Sequence, residues 1–169
     1  MKYSVEELIK SRNPVEFIFF YGGTFSQWKR CSFIEDGIKF NCAEQYMMYH
    51  KAKLFGDDRI AKQILELSNP KEQKKLGRLV KNFDEKIWDE HKYEIVKNGN
   101  ILKFSQNPNL KKELLSTRTS ILVEASPYDR VWGIGIGEMD PSRHNPKNWK
   151  GENLLGFALT EVREMFKNN

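Results

Sequence analysis

The sequence predicts an α+β fold: a predominantly helical single domain with a small β-sheet. Three observations predict it. Capping residues recur through the middle of the chain at Asn41, Asp57 or Asp58, Asn69, Asp84 and Asn107, each ahead of a segment with helical spacing of apolar residues. Runs rich in β-branched and aromatic residues, VEFIFF and SILVEA, lie toward the two ends of the chain and lack that spacing. No repeat, low-complexity stretch or linker divides the 169 residues, a length at which one domain buries roughly 70% of its unfolded surface.

Taken in order, Ser4 caps a short helix over VEELIKS, Glu7 closes a capping box, and Pro14 stops it. VEFIFFYGG is a buried strand ending in a Gly-Gly turn, and SFIEDGIKF is a small hairpin around Asp36-Gly37. From Asn41, with Glu44 three residues on, the period turns helical to about Phe55. DDRIAKQILELS follows as a helix. Asn69-Pro70 starts another, with proline where its missing N–H is harmless. Asp84 starts a long helix with a disturbance at Asn98-Gly99, and Asn107-Pro108 starts one ending near Leu115. SILVEA and VWGIGIG are strand-like, the stretch from Met139 to Lys150 is a loop, and GENLLGFALTEVREMF closes the chain as an amphipathic helix.

Composition excludes several classes. Hydrophobic residues make up 39% and aromatics 12%, too many for disorder, and the mean hydropathy of -0.67 points to solubility in water. No apolar run approaches the ~18 residues of a membrane span, and the N-terminus lacks an apolar signal core. Cys31 and Cys42 form no CxxC pair, so the expectation is a cytoplasmic protein with reduced thiols. The net charge of +5 mildly favours anionic partners. His50, His91 and His144 have no ligand spacing, and no metal is expected. Gly133, Gly135 and Gly137 do not match a dinucleotide fingerprint, and no Walker motif is present.

Three constellations carry candidate chemistry. Glu44 and Lys51 stand seven residues apart, and seven steps of about 100° return to nearly one helical face. A capping box accounts for the first, a solvated helix lysine for the second. Alternatively, the bulk of Tyr46, Met47 and Met48 strips water from the amine and makes it nucleophilic, while the carboxylate moves protons. In the second constellation, Asp129 precedes Trp132 and Gly133: a turn aspartate leading into a strand, or an acid at a pocket rim beside an aromatic platform. In the third, Trp28 lies between Ser26 and the pair Lys29-Arg30. That is an anchored surface loop, or a stacking face with phosphate-holding cations.

Together FFYGGTFSQW, DGIKFNCAEQYMMYHKAKLFGD, KKLGRLVKNFD, the Trp88 helix, KFSQNPNLKKELLSTRTSILVEASPYDRVWGIGIG and WKGENLLGFALTEVRE resemble the NADAR superfamily, also called YbiA-like or DUF1768. The match runs in the family's order over roughly residues 17–166, with AEQYMM and the SPYDRVWGIG segment the most specific. The resemblance implies a mostly helical α+β domain, no cofactor, and N-glycosidase activity on ribose-linked substrates. Two substrate classes are implied: phosphorylated ribosylamino-pyrimidine intermediates of riboflavin synthesis, and ADP-ribose on guanine, free or in DNA. It places Glu44, Lys51 and Asp129 among catalytic residues, and Ser26, Trp28, Arg78, Trp132, Gly133 and Asn153 among substrate-binding ones. Arg118 stands where family members often have glycine, adding positive charge near the site. The implied chemistry has two variants. In one, Lys51 attacks the anomeric carbon through an imine. In the other, Glu44 activates water and Lys51 only tunes its charge. A non-catalytic module binding ADP-ribose or modified nucleic acid is the alternative to an enzyme.

Overall fold

The computed structural model describes residues 1–167. Its elements are α1 (Val5–Lys10), β1 (Phe17–Phe20), β2 (Phe33–Glu35), β3 (Ile38–Phe40), α2 (Ala43–Leu54), α3 (Asp58–Glu66), α4 (Pro70–Gly77), α5 (Glu85–Ser105), α6 (Pro108–Ser116), β4 (Ile121–Glu124) and α7 (Leu154–Lys167). The predicted α+β composition holds. The strands form two separate two-stranded sheets, one in each of two compact units: residues 1–26 with 110–169, and residues 27–109.

In the first unit β1 and β4 pair in parallel, Phe17 opposite Ile121 and Phe20 opposite Glu124. A two-stranded sheet leaves an outer edge whose backbone groups need partners. On β4 side chains supply them. Thr160 Oγ1 accepts from the Leu122 N–H at 3.1 Å, and Asn153 accepts from the Glu124 N–H and donates to the Leu122 carbonyl, both at 3.0 Å. This clamp draws α7 onto the strand. The predicted amphipathic helix is therefore something else: every residue from Leu154 to Arg163 is buried. Its charged members have partners, Glu161 the Lys2 amide at 2.5 Å and Arg163 the Thr117 hydroxyl at 2.9 Å. VWGIGIG is not a strand. It is a series of bends, because Asp129, Glu124 and residues 150–155 take its backbone groups one by one. The loop after it winds into two 3-10 turns, Pro141–His144 and Pro146–Asn148. At the N-terminus the Ser4–Glu7 capping box forms as predicted.

The second unit is built around α2. The hairpin β2–β3 turns through Asp36 and Gly37 at φ 47 and 81, the positive values a tight two-residue turn demands. Its inner face puts Phe33 and Phe40 against Tyr46 of α2. Glu35 pins it there, accepting from the Tyr46 hydroxyl at 2.7 Å and lying 2.7 Å from His50 Nε2. Gln106 closes the outer edge of β2, meeting both backbone groups of Ile34 at 2.8 and 2.7 Å. Asp57, Asn69 and Asp84 cap α3, α4 and α5. The predicted disturbance at Asn98-Gly99 is absent, and α5 runs unbroken. Gly99 serves close packing instead: a Cβ there would lie 2.6 Å from the Tyr46 ring.

Buried in α5, Lys103 is 0% exposed. Burial pulls its amine down to about 8, Lys29 pushes the same way, and the Cys31 and Cys42 thiols oppose. In the folded state the amine thus sheds its proton earlier than the ordinary 10.5 of the unfolded chain. Below about 8 both states are protonated and the cost of the buried charge is fully present. Between about 8 and 10.5 the unfolded state binds more protons, so stability climbs with pH. Lys103→Met should flatten that climb, as read by urea unfolding at several pH values.

Candidate active site

Glu44 occupies the first turn of α2 at 2% exposure. The capping box that would explain it does not form. Cys42 is the N-cap, its sulfur accepting from the Gln45 N–H, while Asn41 turns its amide to the Leu67 carbonyl and Gln73. Gln45 makes the return bond to the Asn41 N–H at 2.8 Å. Tertiary partners override the local cap preference, and Glu44 is released from capping. Residues 27 and 28 take hold of it instead. The Gln27 carbonyl accepts from the Glu44 N–H at 2.9 Å, and the Trp28 indole N–H donates to Glu44 Oε2 at 3.2 Å. Trp28 is nonetheless 44% exposed, so the residue meets solvent while its indole N–H is tethered. Burial pushes the Cys42 thiol up to about 11, keeping it a donor to Gln73 at 3.1 Å.

Two turns along α2, about 10 Å by helical rise, the Lys51 amine lies 4.1 Å from the centre of the Phe83 ring and 5.5 Å from that of Trp88. Desolvation holds its pKa below the ordinary lysine value, and the charge of Arg78 adds to the effect. An aromatic face favours the cation, but loss of water wins. The methionines are not the cause: Met47 and Met48 are in the core, and the rings arrive from the start of α5. There Phe83 precedes the Asp84 cap and Trp88 stands at the fourth helical position, the spacing of a hydrophobic staple. That spacing is readable in NFDEKIW and is the sequence signal that pairs Phe83 with Trp88. Lys53, two residues on, pairs with Asp58 and its pKa is raised. Neighbouring lysines on one helix are thus driven in opposite directions.

Asp129 in the first unit shapes its turn: Oδ1 accepts from the Val131 and Trp132 N–H groups at 3.0 and 2.8 Å. Gly133 is a close-approach glycine, since a Cβ would lie 2.8 Å from the Glu124 carbonyl. Asn153 is 0% exposed with its amide committed to β4, so the structure gives these last two scaffold places rather than open contact surface. Ser26 ends a 3-10 turn with its N–H on the Gly23 carbonyl. Arg78 ends α4 and is exposed. Arg118 is exposed with φ 56, a left-handed position after α6 that explains why glycine suits it. Among the described residues, no group of three or more His, Cys, Asp or Glu is placed to hold a metal ion, and no helix is long and apolar enough to cross a membrane.

The fold and this acid–amine helix define a class, and the comparisons identify it. Residues 19–167 match the NADAR domain model. The chain is 45% identical to N-glycosidase R617 of Acanthamoeba polyphaga mimivirus, covering 88% of this chain and 95% of that one. It is 30% identical to N-glycosidase YbiA of Shigella boydii over 84% of this chain and 80% of that one. The NMR structure of Escherichia coli YbiA superposes with a TM-score of 0.74 at 28% identity, covering 90% and 86% of the two chains. The chain belongs to the NADAR domain family, and its class of activity is that of an N-glycosidase, a hydrolase of glycosidic C–N bonds.

Two outcomes follow from this geometry. The pH midpoint for acylation of Lys51 should lie below that of exposed lysines and return toward theirs in Phe83→Ala, read by peptide mass mapping with Lys53 as internal control. Arg118→Gly should raise stability by about 0.5–1 kcal/mol through relief of left-handed strain.

Proposed function

We propose that the chain hydrolyses the N-glycosidic bond of a ribose-phosphate substrate, removing ADP-ribose from guanine or cleaving a phosphorylated ribosylamino-pyrimidine intermediate of riboflavin synthesis. One observation carries this reading. A single helix presents a nearly dry carboxyl group with an indole donor on it and, two turns on, an amine stripped of water by two rings. Breaking the C–N bond develops positive charge at the anomeric carbon and negative charge on the departing nitrogen. Glu44 gives the leaving nitrogen its proton. Lys51, more often neutral than an ordinary lysine, attacks the anomeric carbon. The base leaves with the C–N electrons; the Lys51 nitrogen gives its extra proton to the ring oxygen as the C–O ring bond breaks, the opened ribose is held as an imine, and water adds to that imine to release the sugar and the neutral amine. Arg78, exposed beside Lys51, is the phosphate-facing cation. Trp28, 44% exposed, stacks against a ring of the substrate. The two free cysteines support a reducing compartment, the cytoplasm, as the setting.

The test offers both substrate types to the purified protein and resolves products by mass. Free base with the matching ribose phosphate or ADP-ribose is the expected result; binding without product would reject catalysis. Glu44→Gln should lower kcat by about 10²–10⁴-fold. Borohydride during turnover should fix the sugar to Lys51. A fully active enzyme with unmodified Lys51 would leave water as the direct nucleophile.

A further inference from the structure

We infer that Trp28 is the positioning residue for Glu44, its indole N–H biasing which carboxyl oxygen carries the proton while the residue, 44% exposed, remains open to substrate. This rests on the reading that Glu44 moves a proton. An indole nitrogen donates and never accepts. The oxygen facing it, Oε2 at 3.2 Å, is therefore an acceptor, and because the carbonyl oxygen of a carboxylic acid accepts better than its hydroxyl, the bond favours a proton on Oε1. That oxygen is buried, so the proton is shielded from exchange with bulk water until substrate arrives.

The loop holds this arrangement from several sides. The Gln27 carbonyl grips the backbone N–H of Glu44 at 2.9 Å. The Gln27 side chain, 7% exposed, accepts from Asn100 of α5 at 3.0 Å, and Asn100 in turn donates to the Val96 carbonyl at 2.8 Å. Further along the loop the Cys31 N–H donates to the Asn41 carbonyl at 3.1 Å. Residues 27 to 31 are thus fixed against the start of α2 at both ends, with Trp28 between the anchors. Packing against a substrate ring needs only an aromatic face. The indole nitrogen adds a second duty that phenylalanine or tyrosine at this position does not reproduce in the same geometry.

The test reads the bond directly and then its effect. With 15N-labelled tryptophan, the indole resonance of Trp28, identified by its loss in Trp28→Phe, should shift with pH in the wild-type protein and cease to shift in Glu44→Gln. Assayed with the ribosyl substrate that the mass experiment identifies, Trp28→Phe should lower kcat by about tenfold, the rate equivalent of one hydrogen bond to a charged group, with little change in KM. Its pH–rate limb belonging to Glu44 should move to higher pH, because the lost donor had favoured the ionised carboxylate. Trp28→Ala should raise KM as well. An indole resonance indifferent to pH, or a Trp28→Phe enzyme with wild-type kcat and pH profile beside an inactive Glu44→Gln, overturns the inference alone. A fully active Glu44→Gln overturns the proposed mechanism beneath it.

Discussion

A carboxyl group held at 2% exposure in the first turn of α2 is the constraint on which the helical unit depends. Burying such a group without partners is costly, and its partners come from outside the helix. The Trp28 indole N–H donates to the carboxyl group itself, and the Gln27 carbonyl takes the backbone N–H of the same residue, Glu44. Beneath them, Gln45 Nε2 lies 3.0 to 3.2 Å from the carbonyls of Ile64, Leu65 and Leu67, and Gln73 reaches Asn41 and Leu67. The end of α3, the start of α4 and the loop before the hairpin are all placed by keeping this one helical turn supplied with hydrogen bonds.

The two ends of α2 then differ in kind. Around Glu44 the surroundings are a backbone carbonyl and an indole N–H that fix the position of a buried carboxyl group. Around Lys51 they are rings and a guanidinium, which make an ammonium less favourable. The helix acts as a ruler, setting an acid and an amine about 10 Å apart along its axis and leaving their electrostatics to neighbouring elements.

Both small sheets meet the same problem by the same means. With two strands apiece, each has an edge that needs partners, and a side-chain amide provides them: Asn153 on β4 and Gln106 on β2. This is why local pattern reading failed where it did. In WKGENLL no local pattern tells that the Asn153 amide bonds a strand distant in sequence. The alternation of VWGIGIG suggests a strand, but its hydrogen bonds go singly to a turn aspartate and to the segment before α7. What α7 lacks is an exposed polar face as far as Arg163, because its hydroxyl, carboxylate and guanidinium groups there are buried too.

What the sequence determined by itself were the features whose energetics are local. The Ser4–Glu7 capping box, the Asp36-Gly37 turn, the proline start of α4 and the Asp84 cap of α5 each depend on residues within a few positions of one another. The shared face of Glu44 and Lys51 belongs here too, since helical period alone sets it. The tertiary structure decided everything that depends on desolvation or on a distant partner. It gave the α2 cap to Cys42 rather than Asn41, an indole to Glu44, and two rings to Lys51 in place of the methionines beside it. Water is removed by whatever packs against a group, and for both residues that is chain far along the sequence.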